Sequence, residues 1–456
     1  MSLLLCLLIG CLDCHKELAG RYARTPMANS SGAVEAAREP EGGFHHPLSR
    51  TRYDIKREDG ALRLNWNGGS VALAFFIGSR RMGRSYAYLD KDHLYQAPVG
   101  YYANKRAWDM APGYAADRHP DFDRPITPEC LFCHSTAARS EPGTLNRITA
   151  ADALQGIGCQ RCHGGGALHS ANPRRDNIIN PARLARPLRS AVCEQCHLAG
   201  EARIELPGRS LDRFAPGEAL SDYVDVFVST SSAGVRVNGH ADALARSRCA
   251  QESQLWCGSC HNPHGPSANF RQTCLGCHGA NDCSSPQRDN GDCVRCHMPK
   301  ARAYDGGHTV FTDHSIPRKP ASSRVGRSPA TELVPYFGRR LPEAVAQRNL
   351  GLAYASAGSF EKAWPLLREA AQAKPKDARL YAQIAILLEA DGRLPQAAGF
   401  YRMALEIDPD QDASLTRLGL LLARQGQTAE ARPLLAKALV RNPRQPEVRK
   451  RLEALD

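Results

Sequence analysis

A chain of 456 residues with 42% hydrophobic and 23% charged content is long enough for two or three domains. That make-up belongs to a soluble globular protein and excludes a disordered or membrane-embedded one. A formal net charge of +12 would by itself suit an acidic partner such as nucleic acid or anionic lipid. Seventeen cysteines are too many for a reduced cytosolic protein unless each has a task.

At the amino terminus Ser2 to Gly10 is apolar, too short to span a bilayer, and without the basic start and small-residue cleavage site of a complete signal peptide. Leu8-Ile9-Gly10-Cys11 has the look of a lipoprotein processing site, yet Cys11 is needed by the motif that follows. The segment reads as a truncated or mis-started export signal or anchor; the alternative is a short buried stretch.

Cys11-Leu-Asp-Cys14-His15 is the first of seven Cys-x-x-Cys-His motifs. The others are Cys130/Cys133-His134, Cys159/Cys162-His163, Cys193/Cys196-His197, Cys257/Cys260-His261, Cys274/Cys277-His278 and Cys293/Cys296-His297. Between the first two motifs the chain alternates like β-strands. Arg52–Arg57 and Ala61–Trp66 flank a Glu58-Asp59-Gly60 turn, and Val71–Ile77, Arg84–Leu89 and Val99–Ala103 continue the pattern. A small antiparallel β-rich insert is expected over about residues 44–110. Residues 128–314 hold the other six motifs, with loops and short helices between them and no long periodic segment.

Residues 316–342 read as a proline-rich, basic linker. Beyond it the sequence repeats every 34 residues. Gly358, Gly392 and Gly426 correspond, as do Ala363, Ala397 and Ala431, then Ala370, Ala404 and Ala438, then Pro375, Pro409 and Pro443. This is the tetratricopeptide pattern: three helical hairpins over 344–445, closed by a capping helix from Pro446. The expected layout is a seven-motif domain over 1–315, the linker over 316–342, and an all-α array over 343–456. The first domain is expected to be mostly α and irregular apart from its β-rich insert. Such an array makes either a groove for a protein partner or a structural brace.

Cys-x-x-Cys-His lets two thiols bond the vinyl groups of one haem while the adjacent imidazole turns under the iron. Zinc is the competing reading, but zinc needs no histidine after the second cysteine, and seven pairs cannot be divided into four-cysteine sites. Seven c-type haems are therefore expected, with His15, His134, His163, His197, His261, His278 and His297 as proximal ligands. One haem per roughly 45 residues leaves too little polypeptide for an apolar interior around each, so the haems themselves must supply the core. Their propionates add roughly fourteen negative charges, which recasts the basic residues as internal partners and removes the case for nucleic acid.

Nine histidines lie outside the motifs. His169, six residues after one proximal ligand, and His264, three after another, lie close to haem and are expected to reach neighbouring irons. His240, His308 and His314 stand in haem-dominated sequence, and His46 is preferred to His45; all six are candidate distal ligands. His119 and Met27 are further candidates, whereas His93 sits in the β-like insert, where a histidine is more often simply hydrogen-bonded. Met27 reads equally as a core methionine. Cys249 and Cys283 are a candidate disulfide pair in an oxidising compartment, and Cys6 has no assigned role.

The haem half resembles the multihaem cytochromes found with tetratricopeptide tails. It is distantly similar to the tetrahaem carrier of ammonia oxidation and to its hydroxylamine-oxidoreductase and nitrite-reductase relatives. The resemblance rests on Gly156-Ile-Gly-Cys-Gln-Arg-Cys-His163 with its glycine turn to His169, on Val192–His197, on Leu255–His264, and on Cys293-Val-Arg-Cys-His-Met-Pro299. It implies closely packed haems forming a conductive chain. The lysine-ligated Cys-x-x-Cys-Lys motif of the reductases does not occur in this sequence, which weakens an enzyme reading.

The expectation is extracytoplasmic electron transfer between a redox protein donor and acceptor, at the periplasm or cell surface of a bacterium. Two alternatives stand beside it. One is an oxidoreductase acting on a small nitrogen or sulfur compound at a five-coordinate haem; the other is a homo-oligomeric filament subunit.

Overall fold

The computed structural model describes residues 11–149, 154–230, 234–266, 269–279, 282–283, 292–318 and 332–455. Nine antiparallel strands follow the first motif: β1 (Ser31–Ala33), β2 (Gly42–His46), β3 (Thr51–Glu58), β4 (Ala61–Trp66), β5 (Gly69–Ala72), β6 (Phe75–Ile77), β7 (Gly83–Asp90), β8 (His93–Tyr102) and β9 (Ala107–Met110). They form a four-stranded sheet ordered β2-β3-β4-β5 and a five-stranded sheet ordered β1-β6-β7-β8-β9. In β3, Tyr53 and Ile55 are buried while their neighbours Arg52, Asp54 and Lys56 are not, the two-residue period of a half-buried strand. The apolar faces of both sheets meet in one core that includes Tyr53, Ile55, Leu62, Leu64, Tyr86, Tyr88, Tyr95 and Val99.

Two tight hairpins set the register. Glu58 pairs with Ala61 across Asp59 and Gly60, at φ 51° and 78°, the left-handed pair that a two-residue β-hairpin loop requires. Lys91 and Asp92, at φ 49° and 67°, do the same between Asp90 and His93. The expected single run over Val71–Ile77 divides: β5 belongs to one sheet and β6 to the other, with Leu73 buried where the chain crosses between them.

The motif region consists of short helices and loops, with two small sheets. In the larger, β10 (Ala202–Glu205) and β14 (Leu333–Pro335) pair on either side of β11 (Val224–Ser229). Thus part of the segment expected as a linker is a strand, because Leu333 is buried against the core that this sheet shares with the helical array.

The carboxyl-terminal part is a tetratricopeptide array. Its hairpins are Glu343–Ser356 with Phe360–Gln372, Ala378–Ala390 with Leu394–Ile407, and Asp412–Arg424 with Thr428–Arg441, and Pro446–Glu453 closes it. The repeated alanines are the crossing points, since all six are at most 1% exposed. A Cβ added at Gly351 or Gly419 would lie 2.8 or 2.6 Å from a leucine of the paired helix, so those helices approach too closely for any side chain. Gly358, Gly392 and Gly426 each turn the chain at φ 76°.

The array is fastened to the haem half at both ends. Arg348 of the first helix bridges Asp377, with its Nε 2.7 Å from the carboxylate, and donates to the Glu205 carbonyl of β10 at 2.5 Å. Asn349 donates to Asp225 of β11, and the Leu333 amide donates to the Tyr354 hydroxyl. At the far end the Tyr95 hydroxyl of β8 donates to Asn442, Arg444 pairs with Asp90 at 3.1 Å, and the Leu145 amide donates to the Arg441 carbonyl. The Arg348–Asp377 pair is only 6% exposed on each side, so Arg348→Ala strands a buried carboxylate and is expected to cost about 3–5 kcal/mol. Chemical denaturation of the full chain measures this, and a loss under ~1 kcal/mol would place the pair with ordinary surface ion pairs.

Candidate metal centres

Each motif is a single tight turn. The amides of His15, His163, His261 and His278 donate to the carbonyl of the first cysteine of their motifs at 2.9–3.0 Å. This four-residue bond stacks that cysteine and the histidine on one face, with the second cysteine beside the ring. All seven histidines and at least one cysteine of every motif line one continuous cavity of about 3610 Å³. Shared among seven motifs that is about 520 Å³ each, within the roughly 300–1,000 Å³ of a site for one sizeable ligand.

The short helices that carry the second and fourth motifs pack against each other, as do those of the fifth and sixth and of the sixth and seventh. The motifs are thus packed against each other, not dispersed through the fold.

Four histidines from outside the motifs enter the cavity and face motif histidines. His169 stacks on His15 with centroids 6.4 Å apart and planes 10° apart, and His264 on His163 at 5.7 Å and 19°. His314 faces His261 at 6.1 Å, while His240 lies 5.4 Å from His197 and 5.0 Å from His314, nearly perpendicular to both. Metal–imidazole bonds of about 2.0–2.1 Å set two axial nitrogens about 4 Å apart and their ring centroids about 6 Å apart. The residues therefore fit an iron held between imidazoles. His169 and His264 both face histidines of other motifs than the ones they follow in sequence.

Hydrogen bonding sorts the rings further. Nδ1 donates to a backbone carbonyl in His163 (Ile179, 2.7 Å), His169 (Arg174, 2.9 Å), His297 (Pro317, 2.9 Å) and His314 (Thr312, 2.9 Å). That fixes the tautomer and leaves Nε2 with a free lone pair, the state in which histidine binds a metal. Burial holds His134, His197, His261, His264 and His314 below the usual imidazole range. Burial, with the neighbouring His197, His314 and His261, pushes His240 down to about 3. All six rings are neutral and available as ligands.

The other candidates lie elsewhere. His46 is buried in the strand sandwich with both nitrogens engaged, Nδ1 with Ser49 at 2.9 Å and Nε2 with the Ala115 carbonyl at 3.2 Å. His308 is likewise committed, between Arg302, Lys105 and Asp109. His119 and His45 are exposed, and none of these four lines the cavity. His93, also outside it, is buried and donates from Nδ1 to the Lys91 carbonyl. Met27 lines the cavity. Cys249 and Cys283 are not bonded to each other in this structure; both are free thiols that line the cavity. Cys6 falls outside the described residues.

Sequence reading named no individual arginine. Among the described residues ten line the cavity against four carboxylates, with no lysine among them. Arg161 is one of the two that are buried, with Arg84: it is 9% exposed, its guanidinium lies over Phe132 and donates to the Ser135 carbonyl, and its Nε has no partner. A positive, arginine-only lining suits bidentate carboxylates such as propionates. The net charge of +12 was the only signal of it in the sequence.

Residues 103–164, which include the second and third motifs, match the family model for cytochrome c554 and c-prime. Residues 348–412 and 412–455 match tetratricopeptide repeat models. A probable biofilm formation methyltransferase of Pseudomonas putida is 33% identical over 97 residues, which are 21% of this chain and 23% of that protein. The chain therefore spans about a quarter of the curated relative it matches. Among solved structures, MamA of Desulfovibrio magneticus is 24% identical over 25% of this chain and 64% of that one, with a TM-score of 0.23. The Sgt2 tetratricopeptide domain of Aspergillus fumigatus is 21% identical over 25% of this chain and 78% of that one, with a TM-score of 0.22. The chain thus joins a segment similar to cytochrome c554, within a region of antiparallel sheets and short helices, to an all-α tetratricopeptide array.

Proposed function

We propose that the protein is an extracytoplasmic electron carrier with seven covalently bound c-type haems. The observation that supports this best is that every Cys-x-x-Cys-His motif opens into one cavity, with neighbouring motif helices packed against each other. Haem supplies one-electron redox chemistry when bound. The motif cysteines anchor it, the motif histidines ligate from one face, and His169, His264, His240 and His314 ligate from the other at the first, third, fourth and fifth sites. The cavity arginines hold the propionates, and the close packing of motifs keeps successive sites within reach for electron hopping.

Covalent attachment of this kind implies maturation outside the cytoplasm. Among the described residues no helix is long and apolar enough to cross a membrane. A redox donor and acceptor dock at the two ends of the site chain. A further protein partner docks at the second repeat, because the first is already engaged with β10 and β11 through Arg348 and Asn349 and the third with β7 and β8 through Asn442 and Arg444. A second reading, an oxidoreductase acting on a small molecule at an iron without a second imidazole, is favoured by one observation: His134, His278 and His297 face no other histidine.

A pyridine haemochrome assay with intact-protein mass spectrometry is expected to return seven covalent haems per chain; a matured sample without iron porphyrin overturns the proposal. In that holoprotein His264→Gln is expected to shift one iron out of the low-spin bis-imidazole population in electron paramagnetic resonance. His46→Gln and His308→Gln are expected to leave the spectrum unchanged, since neither ring reaches the cavity.

A further inference from the structure

Resting on the seven-haem reading, we infer that a small pocket behind the fourth site binds one water, through which Asp242 orients the His240 ring; Asp242 is thereby a positioning residue for that ligand. The pocket measures about 40 Å³ and adjoins the large cavity, since His240, Thr312 and His314 line both. His163, His169, His297 and His314 each give Nδ1 to a backbone carbonyl. The Nδ1 of His240 is buried and has no hydrogen-bond partner. Asp242 lines the same small pocket, and its Oδ1 is likewise buried without a partner, while its Oδ2 accepts from Arg246 at 2.9 Å. One donor and one acceptor, each costly to leave unmet, thus share one pocket.

Local geometry brings the two groups near without letting them touch. They stand two residues apart in the helix His240–Ala245, a spacing at which side chains do not face each other. Asp242 nevertheless bends back over the residue before His240, because a Cβ added at Gly239 would lie 3.2 Å from its Oδ1. Volume then decides what joins them. A water occupies about 30 Å³ in the liquid and needs polar partners, so this pocket takes one water and excludes a larger ligand. His134 also has a buried Nδ1 without a partner, but it does not line this pocket. A carboxylate reached through Nδ1 fixes the tautomer, leaves the lone pair on Nε2 and raises the basicity of the ligating imidazole. The more basic ligand favours ferric over ferrous iron, so Asp242 lowers the potential of its site.

The test uses the matured holoprotein, with haem counted first by pyridine haemochrome. Asp242→Asn keeps the side chain's shape; it is expected to raise the midpoint potential of one haem and to change the g values of one low-spin ferric signal in electron paramagnetic resonance. Glu201→Gln removes an equal charge from the same pocket, where Glu201 pairs with Arg236. That control is expected to leave every g value in place, because g values follow the ligand and not a remote charge. Unchanged g values in Asp242→Asn, or an equal change in Glu201→Gln, overturn the inference and leave the electron-carrier proposal intact; absence of haem overturns both. Should Asp242→Asn fail to mature, the wild-type holoprotein decides. Its high-resolution crystal structure is expected to show one water within hydrogen-bonding distance of both His240 Nδ1 and Asp242 Oδ1, and a dry pocket or a protein group on that nitrogen overturns the assignment.

Discussion

The motif-bearing half depends on one constraint: the stretch that carries its last three motifs lines a large cavity and adds little apolar interior of its own. From Cys257 to Met298 no hydrophobic side chain among the described residues is buried. The six-residue and shorter helices there are too brief to persist on their own hydrogen bonds. At about 24 cal/mol per Å³, a dry void one tenth the size of this cavity would cost about 9 kcal/mol, comparable to the whole stability of a domain. On the proposed seven-haem reading, what fills this space would be the attached cofactor, and its attachment would be coupled to folding of the segment.

Electrostatics follows from the same requirement. Filling the cavity with porphyrins brings carboxylates into a poorly hydrated interior, where an unpaired charge is costly. Among the described residues the basic lining is arginine, whose planar fork pairs carboxylates bidentately; Arg84 and Arg161 are buried and the other arginines stand at the cavity's exposed margin. Imidazoles buried in the same space are driven neutral, so the cavity keeps its positive charge on guanidinium groups and its lone pairs on histidine.

Polypeptide alone makes several apolar clusters, one of them inside the motif region from Ala191 to Ala241, and the two largest lie in the strand sandwich and the helical array. The strand sandwich packs its own aromatic interior, and the helical array shares one continuous core with the three-stranded sheet through Ile204, Phe227 and Leu333. Because the array touches β10 and β11 at its first helix and β7 and β8 at its last, it ties together the parts of the chain that flank the cavity. That arrangement makes the repeats a brace, in addition to whatever surface they offer a partner.

Local signals were legible in the sequence because each depends on neighbours a few residues apart. The motif turns, the Asp59-Gly60 hairpin, the three repeats with their glycines and alanines, and the closing helix all follow from short-range hydrogen bonding and close helix crossing. Pairing across the chain was not. His46 and His169 are both histidines in apolar or glycine-rich surroundings, and only the fold places one between Ser49 and Ala115 and the other opposite His15. Likewise the strand inside the expected linker exists because β11 offers Leu333 an edge and a core. Composition and spacing determine which groups a chain owns and the local turns that carry them; which groups meet is set by long-range packing, whose energy is spread over many contacts that no single stretch of sequence contains.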